Sequence, residues 1–427
     1  MLLLFLGMTE KKQKVKSPLA AIFFTVFIDL VGLGIVIPIM APLLLDPHNT
    51  ILPFTASVHF RTLLLGFLVA VYPLAQFFGA PVLGALSDRH GRKPILLLSL
   101  LGTFAGYILF ALAIIHNNIY LLFCSRLLDG FTGGNISIAY AAISDVSDDT
   151  NKAKNFGMIG AAFGLGFVLG PFIGGKLSSP EIVSWFTLAT PFWFAAILSS
   201  INIIWVSFSF PETLVEKQNT PVSLITGISN IKEAFGYKDL RIVFLIVFLL
   251  TLGFNFFTQF FQVFLIDKFN FNVSKIADMF AYIGVWIVIA QGGVLRPLLK
   301  RFNALQLLAV AALLLAISLP MLLIPSDYKY LYFVIPFVSI FQGLTQPTIS
   351  TVVSDQANKT EQGRILGINQ SIRSLGMALP PILAAYITLI NISFPILAAA
   401  FFILLGWIIV AFYYKDLMKK EQSNRFS

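Results

Sequence analysis

The stretch "GALSDRHGRKPILL", residues 84–97, decides the fold. Asp88, Arg89, His90, Arg92 and Lys93 crowd its centre. The chain on either side is almost wholly apolar, "TLLLGFLVAVYPLAQFFGAPVL" at 62–83 and "LLSLLGTFAGYILFALAII" at 97–115. Each run approaches the ~20 helical residues that cross a ~30 Å hydrocarbon core. A short charged turn between two such runs is a hairpin whose tip lies in water and whose arms lie in lipid.

The pattern continues along all 427 residues, of which 57% are hydrophobic and 11% charged. A soluble domain carries about 25% charge and alternates polar with apolar residues to cover its surface. The chain is therefore an all-α, polytopic membrane protein. Its single cysteine, Cys124, excludes a disulfide framework, and four scattered histidines make no metal cluster. A net charge of +9 calls for no nucleic-acid partner, because basic residues on the cytoplasmic side of a membrane protein account for it. The opening "MLLLFLG" precedes the basic "TEKKQKVK", the reverse of a secretory signal, so Met8 is expected as an alternative start or the segment as disordered.

Twelve spans are expected, near 19–44, 62–83, 94–115, 119–143, 156–173, 188–208, 242–266, 276–295, 304–324, 331–353, 365–387 and 394–414. They group into a tail at 1–18, a six-helix bundle at 19–210, a linker at 211–240, a second six-helix bundle at 241–414 and a tail at 415–427. One set of connections, including both tails and the opening turn, holds about 22 of the 29 basic residues, which places it in the cytoplasm.

The two bundles echo each other at an offset of 210. "SDVSDDTNKAKNFG" from Ser144 matches "SDQANKTEQGRILG" from Ser354, and Gly133, Asp145, Gly157, Gly166 and Pro171 fall on Gly343, Asp355, Gly367, Gly376 and Pro381. The opening turn has a weaker partner in "GGVLRPLLKRF", which keeps Arg301 but has Pro297 and Lys300 at the positions of Asp88 and Gly91. Six helices repeated as six more is a common plan of secondary transporters, whose substrate site lies near the midplane between the halves.

Ionisable groups inside spans are costly and so mark function. Asp29 lies in "FIDLVGLGIVIPIM", where it either exchanges a proton as access to water changes or ties two helices by a hydrogen bond. Arg126 and Asp129 share one helix face in "CSRLLDGFTGGNISIAY"; they form either a static pair or one that couples protonation to the freedom of Arg126. Asn135 and Tyr140 continue the polar character down the same helix. Arg373, in the eleventh span, reads an anionic group on a substrate or pairs with Asp29 or Asp129 across the halves. Tyr72 and Gln76, with Asn255, Gln259 and Gln262, add polar anchors to a largely apolar substrate site. The fifth span carries Gly160, Gly164, Gly166, Gly170, Pro171 and Gly174, small residues that let helices approach closely and bend.

These motifs together resemble the major facilitator superfamily, and within it the drug:proton antiporters of the tetracycline-efflux type. "GALSDRHGRKPILL" is similar to the family's loop motif between the second and third helices, "RLLDGFTGGNISIAYAAISDV" to its fourth-helix motif led by a coupling arginine, and "GFVLGPFIGG" to its antiporter motif. "FIDLVGLGIVIP" resembles the first-helix motif of the group. The resemblance implies that Asp88 latches onto the opposite half. It implies that Arg89, Arg92 and Lys93 join a charge relay with Asp145, and that Gly84 and Gly91 permit the turn. It also implies a monomer in the bacterial cytoplasmic membrane, with both termini inside. Such a protein moves a small amphiphilic molecule against protons by alternating access. It needs no metal and no cofactor beyond the proton gradient. A symporter or facilitator for a metabolite or siderophore, or a receptor that transports nothing, are the other readings of the same scaffold. No paired carboxylates and no nucleophile–base set support an enzyme.

The substrate-specific polar set of tetracycline exporters is not retained. They carry an acid just before a tyrosine in the third helix, where Gly106 precedes Tyr107 here. They carry a histidine four residues before a glutamine in the eighth, where Ile287 precedes Gln291. Asp129 stands where they have a small residue.

Overall fold

The computed structural model describes residues 18–147, 152–217, 222–237, 240–355 and 362–426. The segment at 1–17, with Met8, and parts of both copies of the repeated polar loop lie outside the described residues. The helices are α1 (Pro18–Leu45), α2 (Val58–His90), α3 (Arg92–Ile115), α4 (Ile119–Thr132), α5 (Ile136–Asp145), α6 (Lys152–Leu177), α7 (Thr190–Ser209) and α8 (Thr226–Gly236). They continue with α9 (Leu240–Phe269), α10 (Val273–Ile289), α11 (Leu295–Leu299), α12 (Ala304–Met321), α13 (Leu331–Asp355), α14 (Gln362–Ile390) and α15 (Phe394–Phe426). Among the described residues, nine segments are long and apolar enough to cross a membrane: α1, α2, α3, α7, α9, α10 continued through α11, α12, α14 and α15. The fourth, fifth and tenth expected spans are helical too, as α4 with α5, α6 and α13.

Short connections are fixed by side-chain caps, which replace the hydrogen bonds that the first turn of a helix lacks. Ser57, Asn118, Asn272 and Asn303 each accept from the backbone N–H three residues on. Gly91 alone joins α2 to α3, and its φ of 114° is open to glycine and strained for any other residue.

Two of the repeated glycines do the same work in each half. Gly133 packs on Tyr72 of α2, and its partner Gly343 packs on Ile287 and Ala290 in the eighth span. Gly166 packs on Leu30 of α1, and its partner Gly376 on Thr251 of α9. The halves themselves meet where α2 packs on α14 and α6 on α10. Many of these contacts gather at the end remote from Pro18, called here the far end. Gly66 packs on Pro381 and Ala385, Gly175 on Ala277, and Gly284 on Val168. Lys176 bonds Asp278 at 2.8 Å and Ser274 at 2.9 Å. The backbone N–H of Ala41 donates to Gln262 Oε1 at 3.3 Å, in a stretch where Pro38 and Pro42 interrupt the ladder of α1.

The connection between the halves is not wholly extended. Its "TGISNIKEAFG" folds as α8, which buries Gly227 and Ala234 on one face. Gly227 meets Phe77 of α2, and Asn230 donates to Ser371 of α14 at 3.0 Å. Polar residues at its ends mask an amphipathic period in the sequence, so the segment reads there as a plain polar linker.

The α1–α6 seam is one of close backbone approach within the first half. A Cβ built on Gly170 would lie 2.7 Å from Gly34 Cα and 2.7 Å from the Val31 carbonyl oxygen, both backbone atoms. Gly170→Leu is therefore expected to cost about 1–3 kcal/mol of stability. Gly367→Leu, where nothing lies within 4 Å, is expected to cost nothing measurable. Thermal unfolding of both purified variants in detergent checks this, and equal melting temperatures would show that the seam can relax.

Candidate functional site

The fourth span breaks in mid-membrane. "TGGN" at 132–135 lets α4 pass through a 3-10 turn, Gly133–Asn135, before α5 resumes. A broken helix exposes carbonyl groups that hydrocarbon cannot satisfy. Side chains satisfy three of them. Ser99 donates to Thr132 O, Gln76 to Gly133 O at 2.9 Å, and Ser137 to Gly134 O at 2.8 Å. The break turns Asn135 toward α1, where its amide donates to Asp29 Oδ2.

One turn before the break, Arg126 Nη1 donates to Asp129 Oδ2 at 3.1 Å, and both residues are at most 5% exposed. The guanidinium also lies 4.5 Å from the centroid of the Tyr72 ring, a cation–π contact that helps hold it away from water. Asp29, partly exposed, has no cation within ion-pair distance among the described residues. Tyr107 completes the cluster, its hydroxyl filling the space left by Gly32. Gly106 and Asp129 face each other, since a Cβ on Gly106 would lie 2.9 Å from Asp129 Cβ. A carboxylate at either position occupies the same interface. In this chain the acid of that interface stands in the fourth span and the third contributes a glycine.

Across the interface, Arg373 Nη2 donates to Gln346 Oε1 of α13 at 2.6 Å. Among the described residues it pairs with neither Asp29 nor Asp129, nor with any other acid, and its buried Nε has no partner. Tyr140 of α5 lies within its electrostatic range. Other candidate anchors are engaged elsewhere. Gln76 serves the helix break, Asn255 donates to Thr251 O in its own helix at 2.8 Å, and Gln262 both holds the far-end contact and donates to the Gln259 carbonyl at 3.3 Å.

The charged turn forms a second cluster at the end where α1 begins. Arg92 is its hub, donating to Asp88, to Ser87 Oγ at 2.8 Å and to Asp145 Oδ2 at 3.0 Å. Asp88 thus pairs within its own half instead of reaching the other. Thr213 also donates to Asp145, at 3.2 Å. Lys93 Nζ reaches the Ser207 carbonyl at 2.8 Å, while Arg89 is exposed and makes no ion pair or hydrogen bond among the described residues. Gly84 lies beside Ser137. Gly164 meets Gln291 and Val288 across the halves, Gly174 packs on Ile35, Pro171 lies against Gly34, and Gly160 sits a turn before Gly164 in the same helix.

Sequence reasoning missed three members. Glu212 accepts from the backbone N–H groups of Arg92 at 2.8 Å and Lys93 at 3.2 Å, placing a negative charge at the positive N-terminus of α3. The signal was an acid directly after the sixth span, in "PETL". Gln346 was visible as a polar residue in "QGLTQPT", and Tyr107 had been noted only as the neighbour of Gly106.

A family model described as Major Facilitator Superfamily matches residues 22–381 and 294–426. The tetracycline resistance protein, class C, of Escherichia coli is 30% identical over 378 residues, covering 88% of this chain and 90% of that protein. Multidrug resistance protein 2 of Bacillus subtilis is 25% identical over 408 residues, covering 93% and 96%. The crystal structure of the human organic anion transporter MFSD10 (TETRAN) superposes with a TM-score of 0.72 at 22% identity, covering 92% of this chain and 98% of that one, a likeness of fold.

The turn cluster makes a stability prediction. Arg92→Leu leaves Asp88 and Asp145 without their shared cation and is expected to cost about 1.5–3 kcal/mol. Arg89→Leu is expected to stay within about 0.5 kcal/mol of the parent. Thermal melts of the two variants at one pH and salt concentration decide whether Arg92 is the hub.

Proposed function

The chain belongs to the major facilitator superfamily, and from that premise we propose that it is a proton-driven antiporter exporting a small amphiphilic molecule. It is a multi-pass membrane transporter, and its relatives include tetracycline and multidrug resistance proteins. The observation that carries the proposal is the unequal state of two mid-membrane carboxyl groups. Asp129 has a cation, Arg126, at 3.1 Å, whereas among the described residues Asp29 has only the Asn135 amide. A bare charge in hydrocarbon is expensive. Asp129 can stay ionised as the counter-ion of Arg126, and Asp29 must acquire a proton or a cationic group of the cargo. Proton and cargo then exclude each other at Asp29, which is the requirement for antiport.

The distribution of basic residues supports a cytoplasmic position for the end where α1 begins, with both termini on that side. Contacts such as Ala41–Gln262 and Lys176–Asp278 support closure on the opposite side. In this reading residues 19–210 and 241–414 rock about the seams that α2 makes with α14 and α6 with α10. Asp88, held by Arg92 here, becomes free to engage the second half when the cytoplasmic side closes. The protein works as a monomer in the bacterial cytoplasmic membrane, with the proton gradient as its energy source and no cofactor.

Transport in proteoliposomes tests this. A gradient of one pH unit supplies about 1.4 kcal/mol per proton, enough for about tenfold accumulation at one-to-one exchange. Asp29→Asn is expected to abolish gradient-driven accumulation while the protein still folds. Asp129→Asn is expected to lower stability by about 3–5 kcal/mol, because it strands Arg126. Accumulation that ignores the gradient, or that survives Asp29→Asn, would rule the mechanism out.

A further inference from the structure

Among the described residues, the first half holds a carboxyl group without a cation, and the second half holds a guanidinium without an anion. We infer that the cargo is a zwitterionic amphiphile whose cationic group binds at Asp29 and whose anionic group binds at Arg373. The inference rests on the reading of Asp29 as the exchange site and adds the chemical class of the substrate.

The two arginines inside spans act as controls for each other. Arg126 is given an acid, Asp129, and an aromatic face, Tyr72. Among the described residues Arg373 is given only a neutral amide, Gln346, and the buried Nε of each arginine has no partner there. A guanidinium has five N–H donors, and its planar fork matches a carboxylate through two parallel hydrogen bonds. A charge left this incomplete in mid-membrane is costly, and an anionic ligand removes that cost.

Arg373 does not face lipid. The exposed apolar stripe of α14 runs through Leu379, Leu383, Tyr386 and Ile390. At ~100° per residue, Arg373 lies roughly 110° around the helix from the mean of that stripe. Its hydrogen-bond partner comes from inside the protein, Gln346 on α13, and Tyr140 on α5 lies within electrostatic range across the halves.

One short segment reaches both. Asn135 bonds Asp29, and Tyr140, five residues on, lies in the range of Arg373. Those two positions are separated by about 7.5 Å along the helix axis. A cargo with an ammonium at one end and a carboxylate at the other neutralises both groups at once. Its ammonium displaces the proton of Asp29, so the coupling of antiport is kept. A purely anionic cargo would bind best with Asp29 protonated, which couples proton and cargo in the same direction. Among the described residues, the titratable groups within electrostatic range of Asp29 are Asp129, Tyr72 and Tyr107.

Matched ligands test the inference on the full-length purified protein. Several fused aromatic bodies are each prepared as the free amino acid, its methyl ester (cation only), its N-acetyl form (anion only) and the N-acetyl methyl ester (neutral). Binding is read by tryptophan fluorescence at fixed pH in detergent. The free amino acid is expected to bind about tenfold or more tightly than any singly charged form. Arg373→Gln is expected to bring the amino acid to within about twofold of its ester, and Arg373→Lys to restore part of the difference. Asp29→Asn is expected to bring the amino acid to the level of the N-acetyl form. An ester that binds as tightly as the amino acid, a preference that survives Arg373→Gln, or no binding of any zwitterion overturns the inference. Because binding is measured without a gradient, a failure of proton-driven transport would leave this order of affinities intact. The two readings therefore fail separately.

Discussion

In the middle of a bilayer, a charge or an unbonded backbone carbonyl has no water to turn to, and the organisation of the first half follows from that constraint. Arg126 brings its own acid, and the acid finds room only because Gly106 has no side chain. The break after Thr132 would leave carbonyl oxygens exposed, so Ser99, Gln76 and Ser137 are placed around it. With those bonds made, the backbone can turn, and the turn delivers Asn135 to Asp29. Polar residues that resemble a binding surface in the sequence thus divide into two groups. Some hold the backbone together and some remain available for chemistry.

Helix contact supplies the second constraint. Lipid tails are as apolar as leucine, so helices associate through close packing, which small residues permit. Gly34 against Gly170 and Gly166 against Leu30 bind α1 to α6, and Gly376 against Thr251 binds α14 to α9. The repeated glycines therefore mark equivalent seams in the two halves. The seams between halves have the same character at the far end, where Gly66, Gly175 and Gly284 lie against the opposite half. Among the described residues, ionic closure there rests on Lys176 with Asp278, both partly exposed, an arrangement that can open without stranding a buried charge.

Much of this was legible in the chain itself. Apolar runs set the order of the long membrane helices, since a helix that crosses lipid must be long and apolar whatever it packs against. The i, i+3 spacing of Arg126 and Asp129 made their pairing a matter of local geometry. The link between Arg92 and Asp145 was less legible, being set by how two helices meet 53 residues apart. Arg373 could have bonded to several groups, and a one-dimensional pattern cannot choose among them. Its choice of Gln346 depends on the rotation of α13 against α14. Gln262 has the helical spacing of a cavity residue, and the prolines of α1 made it a contact between halves.

By itself the sequence determined a polytopic helical protein, its repeat and the inventory of charges placed where charge is costly, because composition and spacing are local quantities governed by the solvent around the chain. Only the tertiary structure decided which of those charges are matched. Matching depends on the approach of side chains from helices distant in sequence, and that approach is set by packing. It left Asp129 with a cation and Asp29 without one, Arg126 with an anion and Arg373 without one. It also turned Asp88 inward to Arg92, and it set Glu212 on the positive end of α3.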